Sequence, residues 1–345
     1  MTQIKVDNIA DAAGTGAPDF EDGLTVTGSA LSTLNTAEYY ESGTEPSSPK
    51  NGAIWKDTAN DKLMVYIAGE FKEVELGASA GGVNWTADLT NASYDSVSLS
   101  VLSQETSPAG LAFNTDGTKM YMVGYDSDQV FQYTLSTTFD LSTASYDSVS
   151  FSVTSQETVP SSVNFNTDGT KMYILGFVGD SVHQYTLSTG FDVSTASYDS
   201  VSFSVSSQDT APRSLAFNID GTKMYMTGSN SDSVHQYTLS TGFDVSTASY
   251  DSVSFSVSSQ DGLPTGLAFN PEGTKMYVSG QSNDSVFQYT LSTGFDVSTA
   301  SYDSVSFSVA SQDGSPNELS FSADGTKMYV VGASSDTVYQ YSTGL

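Results

Sequence analysis

The 345-residue chain contains no cysteine, which excludes disulfides, zinc–thiolate sites and thiol nucleophiles. It is short of positive charge: eleven Lys and Arg face forty Asp and Glu, a formal net charge of -29. Nucleic-acid binding needs a basic patch, and none can be assembled here, so no nucleic-acid partner is expected. Anionic lipid surfaces are disfavoured for the same reason. Arg213 is the only arginine, and His183 and His235 are the only histidines. No run approaches the roughly 18 apolar residues of a membrane span, so no membrane insertion is expected. The opening Met1–Val6 has no basic stretch followed by an apolar one and does not read as a secretory leader.

What the chain has is repetition. Ser-Tyr-Asp-Ser-Val-Ser occurs five times, with tyrosines at Tyr94, Tyr146, Tyr198, Tyr250 and Tyr302, each step 52 residues. Gly-Thr-Lys-Met-Tyr recurs at Gly117, Gly169, Gly221, Gly273 and Gly325 in the same 52-residue step. Five units fill residues 86–345 without insertion. A period of this length marks a solenoid, a propeller or another array.

The third unit shows the local logic. Residues 214–218 and 223–227 are apolar runs separated by Asp220-Gly221, a pair suited to a tight hairpin. A third run spans 233–240. Residues 252–258 alternate serine with Val253, Phe255 and Val257, the period of a strand. Four antiparallel strands per unit predict an all-β, five-bladed propeller. The last unit stops after its third strand, whereas the array opens with an isolated fourth strand near 97–101. The expected fold is therefore a ring closed by this N-terminal strand, which removes exposed edges.

The core Pro-x-x-Leu-Ala-Phe-Asn-x-Asp-Gly-Thr-Lys-Met-Tyr-x-x-Gly, as at 212–228, resembles the repeat of bacterial lactonase-like and surface-layer propellers. Before the array the chain changes character. The Ile4-Lys5-Val6-Asp7-Asn8-Ile9 opening and the Asn51-Gly52-Ala53-Ile54-Trp55-Lys56-Asp57-Thr58 and Val65-Tyr66-Ile67-Ala68-Gly69-Glu70-Phe71 segments resemble the N-terminal regions of marine bacteriophage tail-fibre and appendage proteins. The expected organisation is an attachment module at 1–76 (an extended segment plus a small β-hairpin), a Gly-rich linker at 77–84, and the propeller at 85–345. That resemblance implies a virion appendage, assembled in the host cytoplasm and carried on the extracellular particle. Residues 1–76 would meet other virion proteins, the propeller a host receptor or glycan, and the assembly would be a homotrimer. A capsid or head decoration, a bacterial surface adhesin, and a lactonase-like or glycan-cleaving enzyme are the alternatives.

Differences between units point to a working face. One variable window follows the repeat proline: Ala109-Gly110, Ser161-Ser162, Arg213-Ser214, Thr265-Gly266 and Asn317-Glu318. The other is the loop between second and third strands, at 125–128 and its equivalents. Alternating strand direction brings both windows to one end of the ring, and loops on a rigid scaffold commonly carry binding residues. Candidate ligand residues are Arg213, Tyr125, Asp126, Asp128, Phe177, Asn230, Gln281, Asn283, Asn317 and Glu318. The lone guanidinium could hold a carboxylate or sulfate, and the two aromatics could stack on a sugar.

Five repeated acids, Glu105, Glu157, Asp209, Asp261 and Asp313, are candidate ligands for calcium or magnesium, which take oxygen donors. Each could equally cap a loop in its own blade. His183 and His235 stand where other units have Phe131, Phe287 and Tyr339, which predicts packing. No catalytic residue is singled out, no other cofactor is expected, and the expectation is a binding protein rather than an enzyme.

Overall fold

The computed structural model describes residues 85 and 87–344, together with the backbone of 39–42, 54–57, 62–67 and 70–74. Residues 1–83 and 84–345 form two separate compact units. In the first, strands Tyr39–Ser42, Ile54–Asp57, Lys62–Ile67 and Glu70–Val74 make one four-stranded sheet in chain order, the first pair parallel and the others antiparallel. The extended segment at 4–28 and the linker at 77–84 lie outside the described residues.

The second unit is an all-β propeller of five four-stranded antiparallel blades, without an α-helix among the described residues. Blade 3 runs outward through Pro212–Phe217, Lys223–Gly228, Ser233–Leu239 and Ala248–Ser256. Blades 1, 2 and 4 repeat this from innermost strands Pro108–Phe113, Pro160–Phe165 and Pro264–Phe269. Blade 5 takes Pro316–Phe321, Lys327–Gly332 and Thr337–Ser342 from the chain's end and Ser93–Ser100 from before blade 1. Tyr341 pairs with Tyr94 there as Tyr237 pairs with Tyr250 in blade 3. The ring closes as the phase of the repeats requires.

The repeated residues latch neighbouring blades. The second-strand tyrosine donates its hydroxyl to a backbone carbonyl of the next blade: Tyr121 to Phe191, Tyr173 to Phe243 and Tyr225 to Phe295, at 2.5–2.6 Å. The third-strand glutamine accepts an amide across the same seam, as Gln184 does from Val245 at 3.0 Å. Between these polar latches lie five equivalent apolar clusters, each built from two adjacent blades. Trp85 repairs the one irregularity. In blades 1–4 the turn glycine lies under a phenylalanine ring, Gly221 under Phe243 for example; in blade 5 the indole of Trp85 covers Gly325.

The outermost strand departs from uninterrupted alternation. Ser252 has a φ of 59°, the register shifts between Gln236 and Tyr237, and the strand ends at Ser256. This β-bulge recurs at Ser96, Ser148, Ser200 and Ser304. It turns Asp251 inward to meet Lys223 Nζ at 2.8 Å, and it roughens an edge that would otherwise template pairing.

Candidate functional site

Both variable windows emerge at one end of the ring, where they are tied by backbone bonds such as Tyr125 N to Ser107 O and Phe177 N to Val159 O. At the mouth of the axis three blades converge. The Arg213 guanidinium of blade 3 lies 4.5 Å over the Phe177 ring of blade 2. Its Nη1 donates to the Tyr125 hydroxyl of blade 1 at 3.2 Å, and its Nε donates to Ser229 Oγ at 3.1 Å. The Tyr125 and Phe177 ring centroids are 6.4 Å apart. Burial raises the Tyr125 pKa, and the guanidinium opposes that rise. Among the described residues no carboxylate forms an ion pair with Arg213.

On the opposite side of the mouth, Gln281 Nε2 donates to Asn317 Oδ1 at 2.7 Å, and Asn317 Nδ2 donates to the Pro108 carbonyl at 2.6 Å. Asn317 is buried and serves as a strap between blades rather than as an open contact. Asp126 accepts from Thr106 and Ser107 hydroxyls, Asn230 donates to Thr210, and Asn283 donates to the Gln260 carbonyl. Asp128 sits in the left-handed region at φ 53° and accepts from Thr154. These side chains shape the loops, and the convergent group is Arg213, Tyr125 and Phe177.

Glu318 does not lie on the open face. It is 3% exposed, and its side chain crosses the propeller axis. Its carboxyl accepts from Ser162 Oγ of blade 2 at 3.0 Å and from Ser214 Oγ of blade 3 at 2.7 and 2.9 Å. It also accepts the amides of Leu267 in blade 4 and of Leu319, both at 3.2 Å. The equivalent positions in blades 1 and 4 are Gly110 and Gly266, where a Cβ would meet neighbouring atoms at 2.8 and 2.3 Å. Five strands leave an axis that this one carboxyl closes. Burial outweighs these hydrogen bonds and pushes its pKa up to about 8, so the group is mostly protonated at neutral pH.

The five repeated acids are spent locally. Glu105 accepts backbone amides from Thr106, Ser107, Asp126 and Ser127; Asp261 accepts from Leu263, Ser282 and Asn283. Glu157, Asp209 and Asp313 do the same in their blades. Each acid joins the two variable loops of its own blade. The glycine ending the second strand makes room for it, since a Cβ at Gly124, Gly176, Gly228, Gly280 or Gly332 would lie 1.9–2.3 Å from the acid's atoms. Among the described residues no three His, Asp or Glu side chains are gathered to hold a metal. The expected cation ring is therefore not assembled: its members face five separate loop pairs.

Both histidines are buried and pack edge-on against Tyr198 and Tyr250. Their surroundings differ in the loop acid, Glu157 near His183 and Asp209 near His235, and in one hydroxyl. His235 Nε2 lies 2.9 Å from Ser231 Oγ. In blade 2 that serine is replaced by Gly179, and neither ring nitrogen of His183 has a partner. The difference is visible in sequence only when the loop and strand positions are read together.

Residues 95–344 match the family described as "Lactonase, 7-bladed beta-propeller", and the chain belongs to that family, with five blades where the description has seven. Solved structures similar to it include a functionally unknown protein from Desulfotomaculum acetoxidans, at 12% identity, TM-score 0.41, and coverage of 65% of this chain and 62% of the other. A candidate 6-phosphogluconolactonase from Bacteroides fragilis is 13% identical, with TM-score 0.42 and coverage of 72% and 64%. The periplasmic gluconolactonase of Pseudomonas aeruginosa is 17% identical, with TM-score 0.41 and coverage of 69% and 68%. The chain spans 62–64% of the length of the first two. No curated protein matches.

Family membership overturns the expectation that the chain is no enzyme, because the family is named for a hydrolase. It supports the lactonase alternative over the virion-appendage reading, and it concerns residues 95–344 alone.

Proposed function

We propose that the propeller is a lactonase-type hydrolase whose substrate lies on the Arg213–Tyr125–Phe177 mouth. The observation that carries this reading is the convergence of the chain's single guanidinium and two aromatic rings from three different blades. A guanidinium has five N–H donors. Ser229 and Tyr125 take one each, and no carboxylate of the described residues neutralises the charge. The remaining donors suit the carbonyl oxygen of a cyclic ester, which gains negative charge when a nucleophile adds to the acyl carbon. The aromatic pair supplies an apolar platform for the ring that bears it. Glu318, mostly neutral below the mouth, closes the axis without placing a second full charge beside the developing oxyanion.

The test is hydrolysis of a panel of sugar and aliphatic lactones by the full chain, followed by proton release. Turnover that falls about a hundredfold in Arg213→Lys, at unchanged melting temperature, is the expected result for loss of an oxyanion donor. Equal turnover in wild type and variant would remove the mouth from the reaction.

A further inference from the structure

The Ser231–His235 pair is used neither by the fold's repeated latches nor by the substrate mouth. Its internal comparison is informative. The five loop positions equivalent to Ser231 are Ser127, Gly179, Ser231, Asn283 and Ser335, and those equivalent to His235 are Phe131, His183, His235, Phe287 and Tyr339. Only blade 3 combines a serine with a histidine. In blades 1 and 5 the serine hydroxyl is turned onto the loop acid: Ser127 Oγ donates to Glu105, and Ser335 Oγ to Asp313, each at 2.5 Å. In blade 3 Asp209 takes the Ser231 amide at 2.7 Å and the hydroxyl meets His235 Nε2 at 2.9 Å, where in blade 5 Ser335 Oγ accepts from the Tyr339 hydroxyl at 2.8 Å.

A hydroxyl within hydrogen-bond reach of an imidazole nitrogen is the geometry of an activated nucleophile. Ser231 is half-buried, on the same four-residue loop as Ser229, the serine that accepts from Arg213. Burial keeps the imidazole neutral, while the neighbouring Asp209 carboxylate favours the imidazolium formed when Nε2 takes a proton. Nδ1 of His235 is buried without a hydrogen-bond partner, and the tautomer that carries its proton there leaves Nε2 to accept from Ser231.

We propose that Ser231 is an acyl-accepting nucleophile with His235 as its general base, directed at activated carbonyl esters that include lactones. Ser231 Oγ bonds to the acyl carbon and its proton passes to His235 Nε2. The C–O bond to the ring oxygen breaks, and that oxygen takes the proton from Nε2. Water then adds to the acyl-serine, giving its proton to Nε2. The acyl–Oγ bond breaks, and Oγ recovers the proton. Only the identity of the natural ester rests on the hydrolase reading above; the pair itself can be tested without it.

The experiment treats the full chain with an alkyl fluorophosphonate and maps adducts by peptide mass spectrometry. Attack forms a P–O bond at serine and expels fluoride, the hydroxyl proton leaving through His235. The expected result is one adduct, at Ser231, with Ser127 and Ser335 unlabelled. Labelling should vanish in Ser231→Ala and slow about a hundredfold in His235→Phe, as loss of a general base predicts. Phenylalanine already occupies this position in blades 1 and 4, and a melting curve checks that the variant folds. Absence of any adduct, or an adduct whose rate is unchanged in His235→Phe, would overturn the pair. Failure of lactone turnover with labelling intact would instead count against the substrate assigned at the mouth.

Discussion

Replacing Glu318 with glutamine should make the protein more stable, and by an amount that depends on pH. Burial raises the Glu318 carboxyl from its ordinary 4.5 to about 8 in the folded chain. The folded state therefore holds this proton more tightly than the unfolded state does. Below pH 4.5 both states are protonated and nothing is lost. Between pH 4.5 and 8 the unfolded carboxyl ionises while the buried one does not, and stability falls. Above pH 8 both are ionised and the loss is constant. At about 1.4 kcal/mol per pKa unit, the loss is roughly 3 kcal/mol by pH 7 and approaches roughly 5 kcal/mol above pH 8.

The amide keeps the packing. Its oxygen can accept from Leu267 and Leu319, and its NH2 can donate to Ser162 and Ser214 once those hydroxyls rotate. The assay is urea unfolding of both proteins from pH 4 to 9, read as the difference between them. Taking the difference matters, because Asp147, Asp199, Asp251, Asp303 and Asp95 have opposite behaviour. Burial raises their pKa values, but hydrogen bonds and the paired lysine more than offset this and leave them lowered. Their contribution is present at neutral pH and lost in acid, and it cancels between the two proteins. Parallel stability curves, or a Glu318→Gln protein weaker at pH 8 than wild type, would refute the axial burial argument.

Other consequences are open to direct measurement. Deleting residues 86–102 removes the strand that completes blade 5 and should abolish cooperative unfolding; a soluble product with a sharp melting transition would contradict ring closure by that strand. Gly228→Ala places a methyl 2.1 Å from Asp209 Cγ, and should cost about 1–3 kcal/mol by overpacking, measured by denaturant titration; a neutral result would mean the loop acid can move freely. Millimolar calcium or excess EDTA should leave the melting temperature unchanged, because the five loop acids are bonded to amides; a shift of several degrees with calcium would reinstate a cation site.

Much of this architecture was legible in the chain itself. A 52-residue period with two-residue alternation inside it, and a stray fourth strand at one end of the array, leaves a closed five-bladed ring as the arrangement that hides every edge. The same columns showed which positions vary, and so which end of the ring carries Arg213, Tyr125 and Phe177. Tertiary structure decided what those positions do. Glu318 and Arg213 stand in adjacent columns of the same variable window, yet one is sealed across the axis and the other lies half-buried at the mouth: both columns fall where the strand register breaks after the repeat proline, and contacts with other blades decide where each side chain goes. Glu105 and its four equivalents look like a ring in sequence, but each is turned into its own blade, where the amides of two loops outcompete any shared ligand. The two histidines have near-identical neighbours along the chain and differ in contacts made across the fold, among them Ser231 against Gly179 four residues away. Periodicity fixes backbone geometry because every repeat obeys the same local rules. The proposed site rests on single departures from the repeat, and the partner of each departure is chosen by packing across blades and loops.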